Sequence, residues 1–246
     1  MLTVGSLFSG IGGLDLGLER AGLKVIWQSE IDPYCNKILK KHWPEVPNYG
    51  NIKDINWTSV ARPDVICGGY PCQPFSMAGK RKGKDDPRHL WPWVRTAISE
   101  LQPRYAILEN VRGHLTMGGL QVIGELAEIG YDAEWRIVSA AGVGAPHRRE
   151  RIIIVAYPND SKLGNDNHGG INTRTIRSRG KVFIADSAGS SPSRSDSHWV
   201  SEPRMGRVAD GVSDRVDKLR GLGNAVVPQL AEYIGRLVMA AELNNS

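Results

Sequence analysis

Four short stretches carry side chains whose chemistry could be combined. In "GGYPCQPFS", residues 68–76, Cys72 stands between Pro71 and Gln73, just after two glycines and a tyrosine. Pro71 and Pro74 stiffen the stretch and keep it out of a regular element. A thiol held this way reads as a nucleophile or as a small structural residue. Zinc and thioredoxin-like redox chemistry fit poorly. The three cysteines, Cys35, Cys67 and Cys72, include no C-x-x-C pair. "ENV", 109–111, offers the carboxyl of Glu109. In "HRRERI", 147–152, period-2 alternation puts Arg149 and Arg151 on one face and Arg148 and Glu150 on the other. Taken singly, each of these charges reads equally as a surface group or an ion pair. After Ser76 comes "AGKRKGKDDPRHL", which sets Lys80, Arg81 and Lys82 between Gly79 and Gly83. Such a loop is flexible and basic, fit to close on phosphates or simply to be solvated.

A second set of residues points to a bound ligand. "FSGIGG", Phe8–Gly13, is a glycine-rich turn that lets a ligand approach the backbone and meet helix-start N–H groups. It departs from the G-x-G-x-x-G dinucleotide pattern and also reads as a tight structural turn. Glu30 and Asp32 follow about 20 residues later, where an acidic side chain typically accepts from ribose hydroxyls. Asn51, in "GNI", could meet an adenine edge.

These residues need a frame. "LTVGSLF", "KVIWQSEID", "PDVICGG", "RYAILENV" and "RRERIIIVAYP" read as strands, and a further strand position is expected just before Asn51. Helices are expected after the glycine turn, within "LWPWVRTAISELQ" after its proline, and in "GGLQVIGELAEIG" up to Gly130. "LGNAVVPQLAEYIGRLVMAAEL" ends the chain as a helix starting near Pro228, with Leu230, Ile234, Leu237, Val238 and Ala241 on one face. This is the βαβ rhythm of a mostly parallel sheet covered by helices on both faces. In such sheets chemistry collects at the carboxyl ends of the strands. Cys72 and Glu109 both follow strands, so both are expected on that rim. Cys67 lies inside its strand and reads as structural.

The pattern breaks at Pro158. Residues 158–200 hold 8 Ser, 5 Gly, 4 Asn and 4 Asp among 43 positions, about half the segment, and cannot build a core of their own. Only "KVFIA" reads as a strand there. The expected division is a main domain, 1–157 with 219–246, interrupted by a polar insertion, 158–218.

Composition sets the outer limits. With 246 residues and 41% hydrophobic side chains, the chain suits one globular domain with a full core. "IIIVA" is too short to cross a bilayer, and "MLTVGSLFSG" lacks a basic leader, so the cytoplasm is the expected compartment. Three cysteines do not make a disulfide framework. A net charge of +5 leans towards an anionic partner.

Taken in order, "FSGIGG", "SEID", "GGYPCQPFS", "ENV", "HRRERI" and "GNAVVP" resemble the DNA (cytosine-5)-methyltransferase family, in its short bacterial and phage form. The resemblance implies a Rossmann-like α/β fold dependent on S-adenosylmethionine. In it, Phe8, Ser9, Gly10, Ile11, Gly12 and Gly13 wrap that cofactor. Glu30 holds the ribose, Ile31 packs on the adenine, and Asn51, Ile52, Pro71, Asn224 and Ala225 complete the pocket. Cys72 attacks C6 of a cytosine flipped out of duplex DNA, Glu109 acts at N3, and Arg149 and Arg151 orient base and catalytic groups. Gln73, Ser76, Lys80, Arg81 and Lys82 meet the DNA. No metal and no obligate protein partner are implied, and the expected state is a monomer. The segment 158–218 stands where the family carries a longer target-recognition region. Related RNA-directed members usually carry another residue after the Pro-Cys pair, so Gln73 favours DNA. "GNI" replaces the family's usual "GDI", and His147 stands where a glutamine is usual.

Overall fold

The structure is a computed structural model. It describes residues 1–71, 90–116, 118–145, 147, 149–159, 221–222 and 225–243. Six strands form one sheet: β1 (Thr3–Leu7), β2 (Lys24–Ser29), β3 (Val65–Gly68), β4 (Tyr105–Val111), β5 (Tyr131–Ser139) and β6 (Glu150–Pro158). Their spatial order is β2-β1-β3-β4-β6-β5. The first four are parallel, whereas β6 runs antiparallel to both β4 and β5. The helices are α1 (Gly13–Arg20), α2 (Pro33–His42), α3 (Trp91–Leu101), α4 (Gly119–Glu128) and α5 (Pro228–Leu243). None of the described helices is long and apolar enough to cross a membrane.

Alternation along the strands explains why helices cover both faces. In β4, Ala106 and Leu108 face a cluster containing Trp91, Val94 and Ile98 of α3 and Val122 and Leu126 of α4. Tyr105 and Ile107 face the other way, against Leu14 and Leu18 of α1 and Leu230, Ile234 and Val238 of α5. A central strand buried on both sides reads as an unbroken apolar run, as "YAIL" does. Glycines let α1 and the final segment meet backbone to backbone. A Cβ at Gly13 would overlap the Val226 carbonyl, and one at Gly17 the Pro228 carbonyl.

The expected mostly parallel α/β sheet is present, with four differences, the first being α2, a helix that was not expected although Asp32 and Pro33 form its cap and first position. No strand precedes Asn51: the chain makes only an isolated parallel bridge between Gln28 and Asn48, then two 3-10 turns. Strand β5 was not expected, although Tyr131, Ala133, Trp135 and Ile137 alternate along it. Helix α3 begins at Trp91, one residue before its proline rather than after it, which costs nothing because the first-turn N–H groups have no intrahelical partner. The expected "KVFIA" strand, and the insertion apart from its first residues, lie outside the described residues.

Candidate active site

The chain runs from β1 to β2 on one side and from β3 to β4 on the other, which opens a crevice at the carboxyl ends of β1 and β3. A cavity of about 780 Å3 occupies this crevice. Its walls follow from four strand ends: Phe8, Ser9 and Gly10 after β1, Ser29 and Glu30 after β2, Gly69, Tyr70 and Pro71 after β3, and Glu109 and Asn110 at the end of β4.

The first wall is the glycine turn. Phe8 and Gly10 both take left-handed backbone angles, φ 52 and φ 55, and Gly12 follows at φ 83. A side chain at such an angle is strained, so the turn must be held by its surroundings. Ser9 supplies much of that hold: its N–H donates to the Ser29 carbonyl at 3.3 Å and its carbonyl accepts from Gly12 N–H at 2.9 Å. The Gly10 N–H donates to Glu30 Oε2 at 2.8 Å, while Glu30 Oε1 accepts from Ile31 and Asp32 N–H groups at 2.8 and 2.7 Å. The carboxylate of Glu30 is thus fixed by three backbone donors and keeps lone pairs free for hydroxyls. Ile31 stands beside it at the cavity edge, an apolar surface 66% exposed among the described residues. An anchored carboxylate beside an exposed apolar side chain is a fit for a ribose and an adenine face.

The structure separates residues that the sequence grouped. Asp32 caps α2, accepting from Tyr34 and Cys35 N–H groups, so its carboxylate serves the helix while Glu30 faces the turn. Asn51 lines the cavity, but its amide is engaged locally, accepting from Lys53 N–H and donating to Asp54. Phe8, Ser9, Gly10, Gly13, Ile52, Pro71 and Ala225 line the cavity. Gly12 instead faces Trp43, whose ring a Cβ there would overlap, and Ile11 faces Gly221. Asn224 lies outside the described residues.

At the other end of the cavity stands Glu109. It is buried, and its Oε1 meets Arg151 Nε at 2.6 Å. Register explains the meeting. Arg151 pairs across the ladder with Val111, two residues beyond Glu109 on the same face, within diagonal reach. Because β6 is antiparallel, its beginning lies on the carboxyl rim of β4. Burial pushes the Glu109 carboxyl above its ordinary value, and Arg151 and Arg149, in that order of strength, pull it back down. The two influences oppose one another and burial is the larger. Arg149 donates to the Leu222 carbonyl at 3.4 Å, so it also ties β6 to the segment before α5.

Further residues of the site were not singled out from sequence. Asn110 donates to the Tyr70 carbonyl at 3.0 Å, joining the end of β4 to the residue two before Cys72. The Tyr70 hydroxyl meets His114 Nε2 at 2.8 Å, and burial pushes the His114 imidazole below its ordinary value. Gly69 leaves room for the Glu109 carboxyl: a Cβ there would lie 2.7 Å from its Oε2. The double glycine before the Tyr-Pro-Cys sequence was the available signal. Cys72, Gln73, Ser76, Lys80, Arg81 and Lys82 lie outside the described residues.

An open, Rossmann-like α/β sheet with one reversed strand, holding a cavity and a pair of buried Glu109 with half-buried Arg151 on its carboxyl rim, defines the class. The particular family follows from comparison with known proteins. Residues 2–198 match the family described as C-5 cytosine-specific DNA methylase, and the chain belongs to that family. It is 40% identical over 172 residues to the Type II methyltransferase M.Eco47II of Escherichia coli, covering 67% of this chain and 41% of that protein. It is 37% identical over 164 residues to the Type II methyltransferase M.BsuFI of Bacillus subtilis, covering 65% of this chain and 40% of that protein. The chain therefore spans less than half the length of these two relatives. Among solved structures, a Spodoptera frugiperda DNMT2 variant superposes with a TM-score of 0.57 at 24% identity, covering 70% of this chain and 54% of that one, a likeness of fold.

Proposed function

We propose that this chain is a DNA cytosine-5 methyltransferase that uses S-adenosylmethionine and forms a covalent adduct through Cys72. The observation that carries the reading is the single cavity joining the glycine turn and Glu30 to Glu109 and Arg151. One end fits a nucleoside, and the other holds a carboxyl and a cation in a wall that includes Pro71, the residue before Cys72 in sequence.

When bound, S-adenosylmethionine supplies an electrophilic methyl group. Phe8, Ser9, Gly10, Glu30, Ile31 and Ala225 are the residues proposed to hold it. A cytosine stacked in duplex DNA is out of reach and must be flipped out, at a cost of a few kcal/mol. The Cys72 thiolate then adds to C6, and Glu109 gives a hydrogen bond or proton at N3, drawing charge off the ring. The carboxyl of Glu109, raised by burial, holds that proton more readily than an exposed glutamate does. C5 becomes nucleophilic and takes the methyl group. Loss of the C5 proton and departure of the thiolate restore the aromatic ring. Arg151 and Arg149 hold Glu109 in place and balance its charge. Lys80, Arg81 and Lys82 would meet phosphates, with Gln73 and Ser76 at the extruded nucleotide, and residues 158–218 would read the target. The proposed working state is a cytoplasmic monomer on double-stranded DNA.

Bisulfite sequencing of DNA from cells expressing the chain tests the proposal, with Cys72→Ser as control. Methylated cytosines in a fixed context, absent from the control, are expected. Methylation that persists in the Cys72→Ser chain refutes the covalent route. Soluble, cofactor-binding protein that methylates no DNA refutes the DNA substrate.

A further inference from the structure

Asp15 is a fully buried carboxyl that the proposed reaction does not use. It sits in the first turn of α1, two residues beyond the glycine turn. Among the described residues no cation pairs with it. Ser6 Oγ donates to its Oδ2 at 3.1 Å, from β1, and Gln28 Nε2 donates to its Oδ1 at 3.1 Å, from β2. The titratable groups that act on it are Cys67, from β3, and Glu19, one turn along its own helix. Burial keeps the Cys67 thiol protonated and pushes the Asp15 carboxyl up to about 6. A buried carboxylate held only by neutral donors and a helix start is costly, and calls for a reason.

The hydroxyl chain above it supplies one. Ser9 Oγ lies 2.9 Å from Ser6 Oγ and 3.2 Å from the Ser6 carbonyl. A hydroxyl has one proton to give. While Asp15 is ionised, Ser6 gives its proton to the carboxylate, so Ser6 Oγ can only accept from Ser9. The Ser9 hydroxyl is thereby aimed down into the fold, away from the cavity its residue lines. When Asp15 carries a proton, the chain reverses. The carboxyl donates to Ser6, Ser6 turns its proton to Ser9, and the Ser9 hydroxyl loses its Ser6 Oγ acceptor, keeping only the Ser6 carbonyl at 3.2 Å. Ser9 is the residue between the two left-handed positions, Phe8 and Gly10, so its hydroxyl adds a side-chain anchor to the backbone bonds that hold the strained turn.

We propose that Asp15 is a positioning residue for the cofactor: through Ser6 its carboxylate fixes the Ser9 hydroxyl and with it the form of the Phe8–Gly13 turn that binds S-adenosylmethionine. The proposal rests on the cofactor reading given above.

The test is calorimetric binding of S-adenosylhomocysteine to the whole chain from pH 7.5 to pH 5.0, for wild type, Asp15→Asn and Ser6→Ala, with the melting temperature of each. Asparagine can accept from Ser6 and donate to Gln28 once the Gln28 amide turns over, so it keeps the chain direction and cannot titrate. With a carboxyl titrating near 6, about one in eleven is ionised at pH 5.0. Wild-type Kd should therefore weaken over this range, by at most about tenfold. Asp15→Asn should bind at pH 7.5 within a few-fold of wild type and change less than about twofold over the range. Ser6→Ala, which cuts the chain, should bind more weakly at pH 7.5 and lose the acid limb, and it decides the matter if Asp15→Asn does not fold. Parallel pH profiles in wild type and the variants overturn the role of Asp15 alone. A wild-type chain that binds no S-adenosylhomocysteine at any pH overturns the cofactor reading and this proposal with it.

Discussion

Replacing Gly69 by alanine adds one carbon against the Glu109 carboxyl. That Cβ would lie 2.7 Å from Glu109 Oε2, inside the 3.0 Å below which Cβ contacts are not found. Reaching an ordinary 3.4 Å contact requires a shift of about 0.7 Å, the difference between 3.4 and 2.7. Glu109 cannot simply swing away, because Arg151 holds its other oxygen at 2.6 Å. The strain must displace the carboxyl, the Glu–Arg pair or the chain leading to Cys72. Misplacement of a reacting group by about 1 Å costs roughly 100-fold in rate. We expect Gly69→Ala to lose between about tenfold and 100-fold in single-turnover methylation. Overpacking of this size also costs about 1–3 kcal/mol of stability, a fall of several degrees in Tm for a chain of this length. Affinity for S-adenosylhomocysteine should change little, since the glycine turn and Glu30 lie at the other end of the cavity. A folded Gly69→Ala chain that turns over within about threefold of wild type would refute the placement of Glu109 as a reacting group.

Other expectations follow from the same geometry. Glu109→Gln keeps an acceptor for Arg151 but cannot pass a proton, so kcat should fall about 10²- to 10⁴-fold with KM for DNA nearly unchanged, and unaltered turnover would exclude the acid role. Gly124→Ala fills open space in α4, where no described residue lies within 4 Å of the new carbon, and should raise stability by about 0.5–1 kcal/mol in urea unfolding. Asp15 binds its proton more tightly in the folded chain, near 6 against 3.8, so the stability it contributes is complete below about pH 4 and lost as pH rises through 6. That loss is on the order of 3 kcal/mol, and urea titrations of wild type and Asp15→Asn at pH 4.5 and 7.5 should diverge accordingly, the variant gaining relative to wild type at the higher pH.

Much of this arrangement was legible in the chain itself. Strand ends are written as apolar runs that stop at glycine or at acid, as "LTVGSLF" stops at "SGIGG" and "KVIWQS" at Glu30, because a parallel strand is buried along its length and meets solvent at its tip. The α5 face from Leu230 to Val238 was equally plain, since its period matches a single partner surface. What periodicity could not say was direction and distance. "HRRERI" was recognisable as the start of a strand, yet only an antiparallel β6 brings that start to the rim where β4 ends, and strand direction leaves no mark on alternation. The division of labour between Glu30 and Asp32 was likewise hidden. Two carboxylates one residue apart look alike until α2 takes one as its cap and the glycine turn takes the other. Asp15 reads as an ordinary first-turn acid, because its burial depends on Ser6 of β1, Gln28 of β2 and Cys67 of β3 being brought together by the sheet. The sequence by itself determined which chemistries were present and that they belonged on one edge of a sheet. The tertiary structure decided which carboxyl meets which cation and which lies buried, because burial and charge pairing act between residues that only folding makes neighbours.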